Sequence, residues 1–241
     1  MSPSDDRRSI DRAAASKASA VDSFLDQAGR TVTRPAAGTG RGRLIFALDA
    51  TMSRQPTWDA AIALQGRMFD TTAKLGGLDV QLVYFRGFHE CKASAFVSGG
   101  VGLDRLMSRI RVEGGNTQIG RVLTHALAEA RKARTGALVY VGDAVEERVD
   151  PLCAKAGELA LLGLKAFMFH EGEDSAAARC FKEIARLTGG AYAVFDASAP
   201  GKLGALLSAA AAYAAGGSLA LEAQARTADP AAAKLLLSQI R

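Results

Sequence analysis

The residues whose types and spacing could do chemistry lie in the stretch from Arg43 to Ser53, which reads R-L-I-F-A-L-D-A-T-M-S. Its unbroken apolar run, Leu44 to Leu48, is typical of a parallel strand buried on both faces. The run ends at Asp49, and hydroxyls follow two and four residues later at Thr51 and Ser53. Because ligands of open α/β sheets bind at the carboxyl ends of the strands, these oxygens are expected to face a ligand crevice.

All of these side chains offer oxygen donors, and neither sulfur nor imidazole is among them. Carboxylate and hydroxyl oxygens favour a hard cation, Mg²⁺ or Mn²⁺ before Ca²⁺, and disfavour zinc or copper. A second interpretation needs no metal: Asp49 caps the following turn or helix, and Thr51 and Ser53 support it. The five residues D-A-T-M-S alone do not decide between the two interpretations.

Two further candidate ligands lie later in the chain. Thr117 follows the glycine-rich stretch E-G-G-N and begins a strongly amphipathic helix, and Asp143 follows an apolar strand, Ala137 to Val141. If that strand is the neighbour of the first one, the oxygen-bearing residues converge: Asp49, Thr51, Ser53, Thr117 and Asp143. Two carboxylates neutralise a divalent cation and the hydroxyls add no charge. Such a cation retains affinity for one more oxygen, from water or from an Asp or Glu of a partner.

Strands and helices alternate along the chain, which is the pattern of a mostly parallel sheet covered on both faces. The predicted strands are Leu44–Leu48, Val80–Phe85, Ala93–Val97, Ala137–Val141, Leu164–Phe169 and Ala191–Phe195. The third follows the second through a short hairpin, Arg86 to Glu90, and is expected to be an antiparallel edge strand. The sequence thus predicts an α/β fold, a doubly wound, mostly parallel six-stranded sheet with one antiparallel edge strand and helices on both faces.

The helical patterns divide the chain into three parts. Residues 1–41 are predicted to form an N-terminal amphipathic helix, Ser9 to Gln27, and a basic linker; residues 42–215 form the main domain; residues 216–241 form a C-terminal extension expected to be helical. Within the main domain helices are predicted at Trp58–Leu75, Leu103–Ile110, from Thr117 onward, and at Leu152–Leu162, Ser175–Leu187 and Leu203–Ala215.

These separated blocks resemble a von Willebrand factor A (VWA) domain over Gly42 to Tyr213, about three quarters of the chain. The metal-ion-dependent adhesion site (MIDAS) of that family uses D-x-S-x-S after the first strand, which this chain matches as D-A-T-M-S. The second MIDAS element, a Thr after a glycine-rich loop, matches G-G-N-T-Q-I at Thr117, and the third, an Asp after an apolar strand, matches Y-V-G-D-A at Asp143. The passage I-A-R-L-T-G-G-A-Y-A-V-F-D, Ile184 to Asp196, resembles the late helix-to-strand passage of the family.

The resemblance implies a Rossmann-like sheet and a Mg²⁺ or Mn²⁺ ion held by the five motif residues and completed by an acidic residue of a bound protein. Thr51 departs from the commoner Ser but keeps the hydroxyl, whereas Ala144 stands where a Gly usually follows the third aspartate, so the backbone there is expected to differ. The function that the resemblance implies is a cation-dependent protein-binding adaptor and not an enzyme. Intracellular members serve larger machines such as AAA-type ATPases, which makes an ATPase-type machine one candidate partner.

Four residues are candidates for contact with a partner. Arg86, Phe88 and His89 occupy the predicted hairpin loop, which is expected to lie toward the rim of the binding face, where loops carry specificity. His170 ends the strand F-M-F-H and is expected either to face the crevice or to pack at the surface. The pair Glu146-Glu147 either reaches a metal through water or is solvated at a helix start.

The composition fits a soluble protein with one full-sized core, because the 241 residues are 49% hydrophobic and no apolar run reaches the length of a membrane span. The net charge is +5, but basic and acidic residues are mixed along the chain. Three cysteines without a C-x-x-C pair, and a beginning without the apolar segment of a secretory signal, indicate a bacterial-type cytoplasm and no membrane.

Two other classes of function stay open. A metal-dependent hydrolase or phosphotransferase on a similar sheet could use Asp49 as nucleophile, as haloacid-dehalogenase-like phosphatases do, but the general acid that those enzymes carry two residues later is Thr51 here. Weak nucleic-acid binding could come from the basic linker, although no aromatic stacking platform accompanies it. The arginines concerned are Arg30, Arg34, Arg41 and Arg43.

Overall fold

The computed structural model describes residues 40–196, 199–227 and 230–240, except for the side chain of Ser53. The predicted helix from Ser9 to Gln27, and most of the N-terminal segment 1–41, lie outside the described residues.

A six-stranded sheet forms the middle of the described part, with the strand order β3-β2-β1-β4-β5-β6. Its strands are β1 Gly42–Asp49, β2 Leu78–Arg86, β3 Glu90–Val97, β4 Ala137–Gly142, β5 Lys165–Glu171 and β6 Ala191–Phe195. All neighbours are parallel except β2 and β3, which form the hairpin. The predicted mostly parallel sheet with one antiparallel edge strand is confirmed.

Helices cover both faces of the sheet. They are α1 Gln55–Leu64, α2 Gly66–Thr72, α3 Gly100–Met107, α4 Ile119–Lys132, α5 Val149–Leu161, α6 Ser175–Thr188, α7 Pro200–Gln224 and α8 Ala231–Leu237. The segment predicted as one helix, Trp58–Leu75, is divided into α1, α2 and a 3₁₀ turn, Ala73–Leu75. The helix that was expected to begin at Thr117 begins two residues later.

The two buried clusters follow from the alternation of side chains along each strand. Leu44, Phe46 and Leu48 of β1 point to the face covered by α1, α2, α3, α7 and α8. Ile45 and Ala47 point to the opposite face, which α4, α5 and α6 cover. Because the middle of β1 is buried on both sides, it is apolar without interruption from Leu44 to Leu48, as the sequence suggested.

The functional end of the sheet is set by its strand order. From β1 the chain proceeds outward to β2 and β3, and then returns to β4 on the other side of β1 before proceeding to β5 and β6. The direction of winding therefore reverses between β1 and β4. In open α/β sheets, the crevice at the carboxyl ends of the strands beside such a reversal is where ligands bind.

The C-terminal residues pack on the same sheet. Helix α7 runs through the predicted boundary at residues 215 and 216, with a kink at Gly217, and α8 places Leu236 in the cluster beside β6. In the described part of the chain, α7 is the one helix long and apolar enough to span a membrane, but 56% of its apolar stretch is buried in this core. Beyond α8, the amide of Gln239 donates to the carbonyl of Tyr192 and accepts from its N–H, both at 2.9 Å, so it covers the edge of β6.

We predict that Gly190→Ala lowers the free energy of unfolding by about 1–3 kcal/mol, because a Cβ at Gly190 would overlap the carbonyl oxygen of Ala166. The matched control is Gly157→Ala in the middle of α5, where a Cβ meets no atom within 4 Å and a gain of about 0.5–1 kcal/mol is expected. Equilibrium urea unfolding measures both; equal effects of the two substitutions would contradict the close approach at Gly190.

Candidate metal centre

Asp49 is the last residue of β1, and its side chain is almost entirely buried, with 3% exposed. Its Oδ1 accepts a hydrogen bond from the N–H of Thr51 at 2.8 Å, and the N–H of Arg54 donates to the carbonyl of Thr51 at 2.9 Å. The motif therefore folds into a tight turn that continues as the 3₁₀ helix Met52–Arg54. The capping interpretation of Asp49 is correct for one oxygen, and it is compatible with a ligand role because a carboxylate has several acceptor positions.

The electrostatic environment of Asp49 is unusual for an aspartate. Burial raises its pKa from 3.8 to about 6, and the negative charge of Asp143 adds to this rise, while the hydrogen bonds from Thr51 and the positive charge of Arg54 oppose it. The charges of the motif residues thus act on one another, as expected for residues that share a crevice. At neutral pH Asp49 is an ionised, buried carboxylate whose charge is only partly compensated, and such a group favours a bound cation.

Thr117 is buried in the loop before α4. Its N–H donates to the Glu146 carboxylate at 2.8 Å, and its Oγ1 accepts from the N–H of Glu146 at 3.0 Å. On its other side, the N–H of Asn116 donates to the carbonyl of Gly87 at 3.1 Å, and a Cβ at Gly115 would overlap that carbonyl. The Thr117 loop is therefore held between the β2–β3 hairpin and the loop after β4.

Glu147 supplies the N-terminal cap of α4 from outside the helix. Its two carboxylate oxygens accept from the N–H groups of Ile119, at 2.5 Å, and Gly120, at 2.8 Å. Thr117 is consequently not the cap, and the N-cap residue Gln118 makes no side-chain cap hydrogen bond. A carboxylate at this position satisfies otherwise unpaired amides and interacts favourably with the helix dipole. Glu146 and Glu147, for which two roles were open, thus fasten the loop after β4 to the start of α4.

Asp143 follows β4 by one residue, and its side chain is 31% exposed. The parallel register pairs Leu48 of β1 with Val141 of β4, so the carboxyl ends of the two strands are level and the two aspartates lie at the same edge. The carbonyl of Asp143 accepts from Nε2 of His170 at 3.2 Å, while the hydroxyl of Tyr192 donates to Nδ1 at 2.9 Å. Burial lowers the pKa of His170, which agrees with a neutral ring that donates through Nε2 alone.

Arg54 is the residue of the crevice that the sequence interpretation missed. It is 3% exposed, and its Nη1 lies 3.4 Å from Oδ2 of Asp143. Its Nη2 pairs with the carboxylate of Glu171, the last residue of β5, and the hydroxyl of Thr57 donates to the same carboxylate oxygen. The available signal was a basic residue directly after D-A-T-M-S, five residues beyond Asp49.

The predicted partner-contact residues fall into two groups. Phe88 is 68% exposed and His89 is exposed at the tip of the hairpin, where a partner can reach them. Arg86 braces the hairpin instead, pairing with Glu90 at 3.0 Å and donating to the carbonyl of Arg111 at 2.6 Å. His170 is only 1% exposed, and its Nε2 donates to the carbonyl of Asp143 from inside; its contact with a partner stays a prediction.

The donor set fits a hard divalent cation. The structure brings Asp49, Thr51, Thr117 and Asp143 to one edge of the sheet, and the side chain of Ser53 lies outside the described atoms. Within the described ranges no cluster of three or more His, Cys, Asp or Glu side chains is arranged to hold a metal. Carboxylate and hydroxyl oxygens are the ligand types that a hard divalent cation prefers. The guanidinium of Arg54 is an additional positive charge that such a cation must tolerate.

Solved structures with the same architecture include a VWA domain. The chain is similar to the VWA domain of SpRpn10, at 12% identity and a TM-score of 0.54 over 68% of this chain and 95% of that one. It is also similar to the pilus adhesin SpaC from Lactobacillus rhamnosus GG, at 12% identity and a TM-score of 0.56 over 73% of this chain and 30% of that one. A third similar structure is proximal thread matrix protein 1 from the mussel byssus with a zinc-occupied MIDAS motif. Its identity is 15% and its TM-score 0.53, over 73% of this chain and 46% of that one.

No protein-family model matches the sequence, and no curated protein matches it either. The chain spans less than half of the length of the adhesin and of the mussel protein. At these identities the likeness concerns the fold, and the chain has the VWA-like fold that its motifs predict.

We predict that Asp49→Asn stabilises the protein at pH 7 in the presence of a chelator. The folded-state pKa of about 6 lies above the unfolded value of 3.8, so the protonated carboxyl stabilises the fold below pH 4 and this contribution is lost as the pH rises through 6. At pH 7 the loss amounts to at most about 3 kcal/mol, and an Asn cannot ionise.

Urea unfolding of the wild type and of Asp49→Asn at pH 7 and pH 4 measures this difference. Asp104→Asn, at an exposed position of α3, is the control for the loss of one negative charge. The advantage of the Asn variant should shrink as the pH falls to 4. An Asn variant less stable than the wild type at pH 7 would show that the charge of Asp49 is already compensated.

Proposed function

We propose that the protein is an interaction module that binds an acidic residue of a partner protein through a divalent cation, Mg²⁺ or Mn²⁺. The observation that supports this most directly is the convergence of Asp49, Thr51, Thr117 and Asp143 at the reversal point of a VWA-like sheet. Ser53 completes the proposed set by its place in the motif. The mussel neighbour with a zinc-occupied MIDAS supports a divalent metal in this fold.

The charge balance of the donors supports a bridging role. Asp49 and Asp143 supply two negative charges, and the threonine hydroxyls supply none, so a bound divalent cation would be neutralised but would still accept a carboxylate from outside. Such a cation supplies electrostatic attraction and a fixed direction for the incoming oxygen. The residues of this chain hold it, because Thr51, Glu146 and His170 fix the loops that carry the ligands.

Exposed apolar side chains beside the crevice support a protein as the partner. Phe88 at the hairpin tip is 68% exposed and Met52 in the turn after Asp49 is 67% exposed. Aromatic and methionine side chains are enriched where proteins bind one another. We propose that Phe88 and His89 contact the partner next to the bridging carboxylate. The SpaC neighbour is a pilus adhesin, which agrees with binding in this fold.

We propose binding rather than catalysis because Asp49 and Asp143 are proposed as metal ligands, and three other described carboxylates of the crevice already have partners. Glu147 is engaged with the amides that start α4, Glu146 with Thr117, and Glu171 with Arg54 and Thr57. Nucleic-acid binding by the linker has less support, since Arg41 pairs with Asp79 at 2.6 Å and Arg43 with Glu129 at 3.4 Å.

A cytoplasmic location remains part of the proposal. The three cysteines of the chain all lie in the described part and carry free thiols. Burial raises the pKa of Cys91 to about 11 and that of Cys180 to about 12, so both thiols are protonated and unreactive at neutral pH.

Calorimetric titration with MgCl₂ and MnCl₂ tests the metal site. We expect one cation per chain. Asp143→Asn should lower the affinity on the order of 100-fold, because losing a ligand's charge costs at least as much as losing a residue that supports a ligand. The control is Thr124→Ala at an exposed position of α4, which should bind the metal as the wild type does. An Asp143→Asn variant that is folded and binds equally well would place the metal elsewhere.

Partner capture tests the bridge itself. Immobilised protein should retain its partner in Mg²⁺ and release it in EDTA. Thr117→Ala should retain much less, at a stability cost of only about 1–3 kcal/mol, because it leaves the Glu146 N–H without its acceptor but removes no cap of α4. Equal recovery from Thr117→Ala and in EDTA would sink the metal-bridged mechanism and leave only the fold.

Adjacent glycines give a matched test of the Thr117 loop. Gly115→Ala should weaken Mn²⁺ binding roughly tenfold, since its Cβ would push the loop off the Gly87 carbonyl, and a displaced supporting group costs about 10–100-fold in metal affinity. Gly114→Ala meets nothing within 4 Å and should bind normally. Both variants are measured in the same titration, and an unaffected Gly115→Ala would mean that the loop position does not matter.

A further inference from the structure

The guanidinium of Arg54 is buried among acidic side chains in the crevice itself. Its Nη1 lies 3.4 Å from Asp143, a proposed ligand, and its Nη2 pairs with Glu171, which is not one. The charge of Arg54 also lowers the pKa of Asp49. The arginine therefore contacts one proposed metal ligand directly and acts electrostatically on the other.

Local structure fixes Arg54 in this place. The 3₁₀ turn Met52–Arg54 folds the chain back through the hydrogen bond from Arg54 N–H to the Thr51 carbonyl, and Pro56 then starts α1. From the other side, Thr57 donates to the carboxylate of Glu171 that holds the guanidinium. A buried arginine remains charged at every accessible pH and needs such anionic partners, so this positive charge is permanent.

We propose that Arg54 is a built-in cation of the crevice, held by Glu171, that competes electrostatically with the divalent metal and so sets the affinity of the site. This inference rests on the proposed function, because it assumes a cation at Asp49 and Asp143. Three carboxylates, Asp49, Asp143 and Glu171, face one guanidinium, which leaves a formal charge of minus two for the metal to neutralise.

Removing Arg54 and removing its partner Glu171 should change metal affinity in opposite directions. Without the guanidinium the crevice is more negative, so the metal is bound more tightly and the protein in chelator is less stable. Without the carboxylate of Glu171 the crevice is less negative, and Arg54 is left to pair with Asp143 alone, so the metal is bound more weakly. A role of Arg54 in packing alone predicts neither change in metal affinity.

The test is Mn²⁺ titration of the full chain by calorimetry, together with thermal unfolding in EDTA and in Mn²⁺. Arg54→Gln should bind Mn²⁺ at least about tenfold more tightly than the wild type, since it removes a positive charge that lies 3.4 Å from a proposed ligand and repels the cation. Glu171→Gln should bind at least about threefold more weakly, for the same electrostatic reason. The control Arg131→Gln removes the same charge from an exposed pair with Glu158 and should bind as the wild type does.

The outcomes separate this inference from the proposed function. If the wild type binds Mn²⁺ and folded Arg54→Gln binds no more tightly, the inference fails and the proposed function stands. If neither binds, the proposed function fails and the inference fails with it. If Arg54→Gln is unfolded in EDTA, Mn²⁺ must restore its folding, because the metal replaces the lost charge; no restoration under conditions where the wild type binds Mn²⁺ overturns the inference.

Discussion

The carboxylate of Asp49 is buried at the end of the central strand, and the crevice around it is organised by the need to compensate that charge. Strand β1 is covered on both faces, so its last residue has little access to water. A buried carboxylate is unfavourable unless hydrogen bonds and positive charge balance it. The amide of Thr51 and the guanidinium of Arg54 supply part of that balance, and the pKa of about 6 shows that the balance is incomplete.

Polar contacts join the loops that surround this charge to one another. The turn after β1, the loop before α4 and the loop after β4 come from separate parts of the sequence. Glu146 and Glu147 join the second loop to the third, and His170 supports the third from within the sheet. Each contact uses one defined donor and one defined acceptor. The oxygens proposed to bind the metal are therefore positioned by groups that do not themselves have to bind it.

The sequence predicted the features that depend on local pattern. The strands were recognisable because burial on both faces requires uninterrupted apolar runs such as Leu44–Leu48. The crevice was recognisable because polar residues follow two of these runs.

Arg54 could not be placed in the same way, since its burial depends on Glu171, 117 residues later in the chain. The role of Glu147 was hidden for the same reason, because it caps a helix that precedes it in the sequence. The inward orientation of His170 was left open because a strand end can point either into the core or outward, and its partner Tyr192 lies on the next strand.

The edge of the sheet at β6 is covered by residues close to the C-terminus. At β6, Gln239 occupies the backbone groups of Tyr192 and so acts as a substitute for one more strand. An unpaired strand edge is a template for association with other chains. A protease that removes the last few residues would thus leave the folded core intact but expose the unpaired edge of β6. In an ageing preparation, the truncated protein should therefore aggregate first.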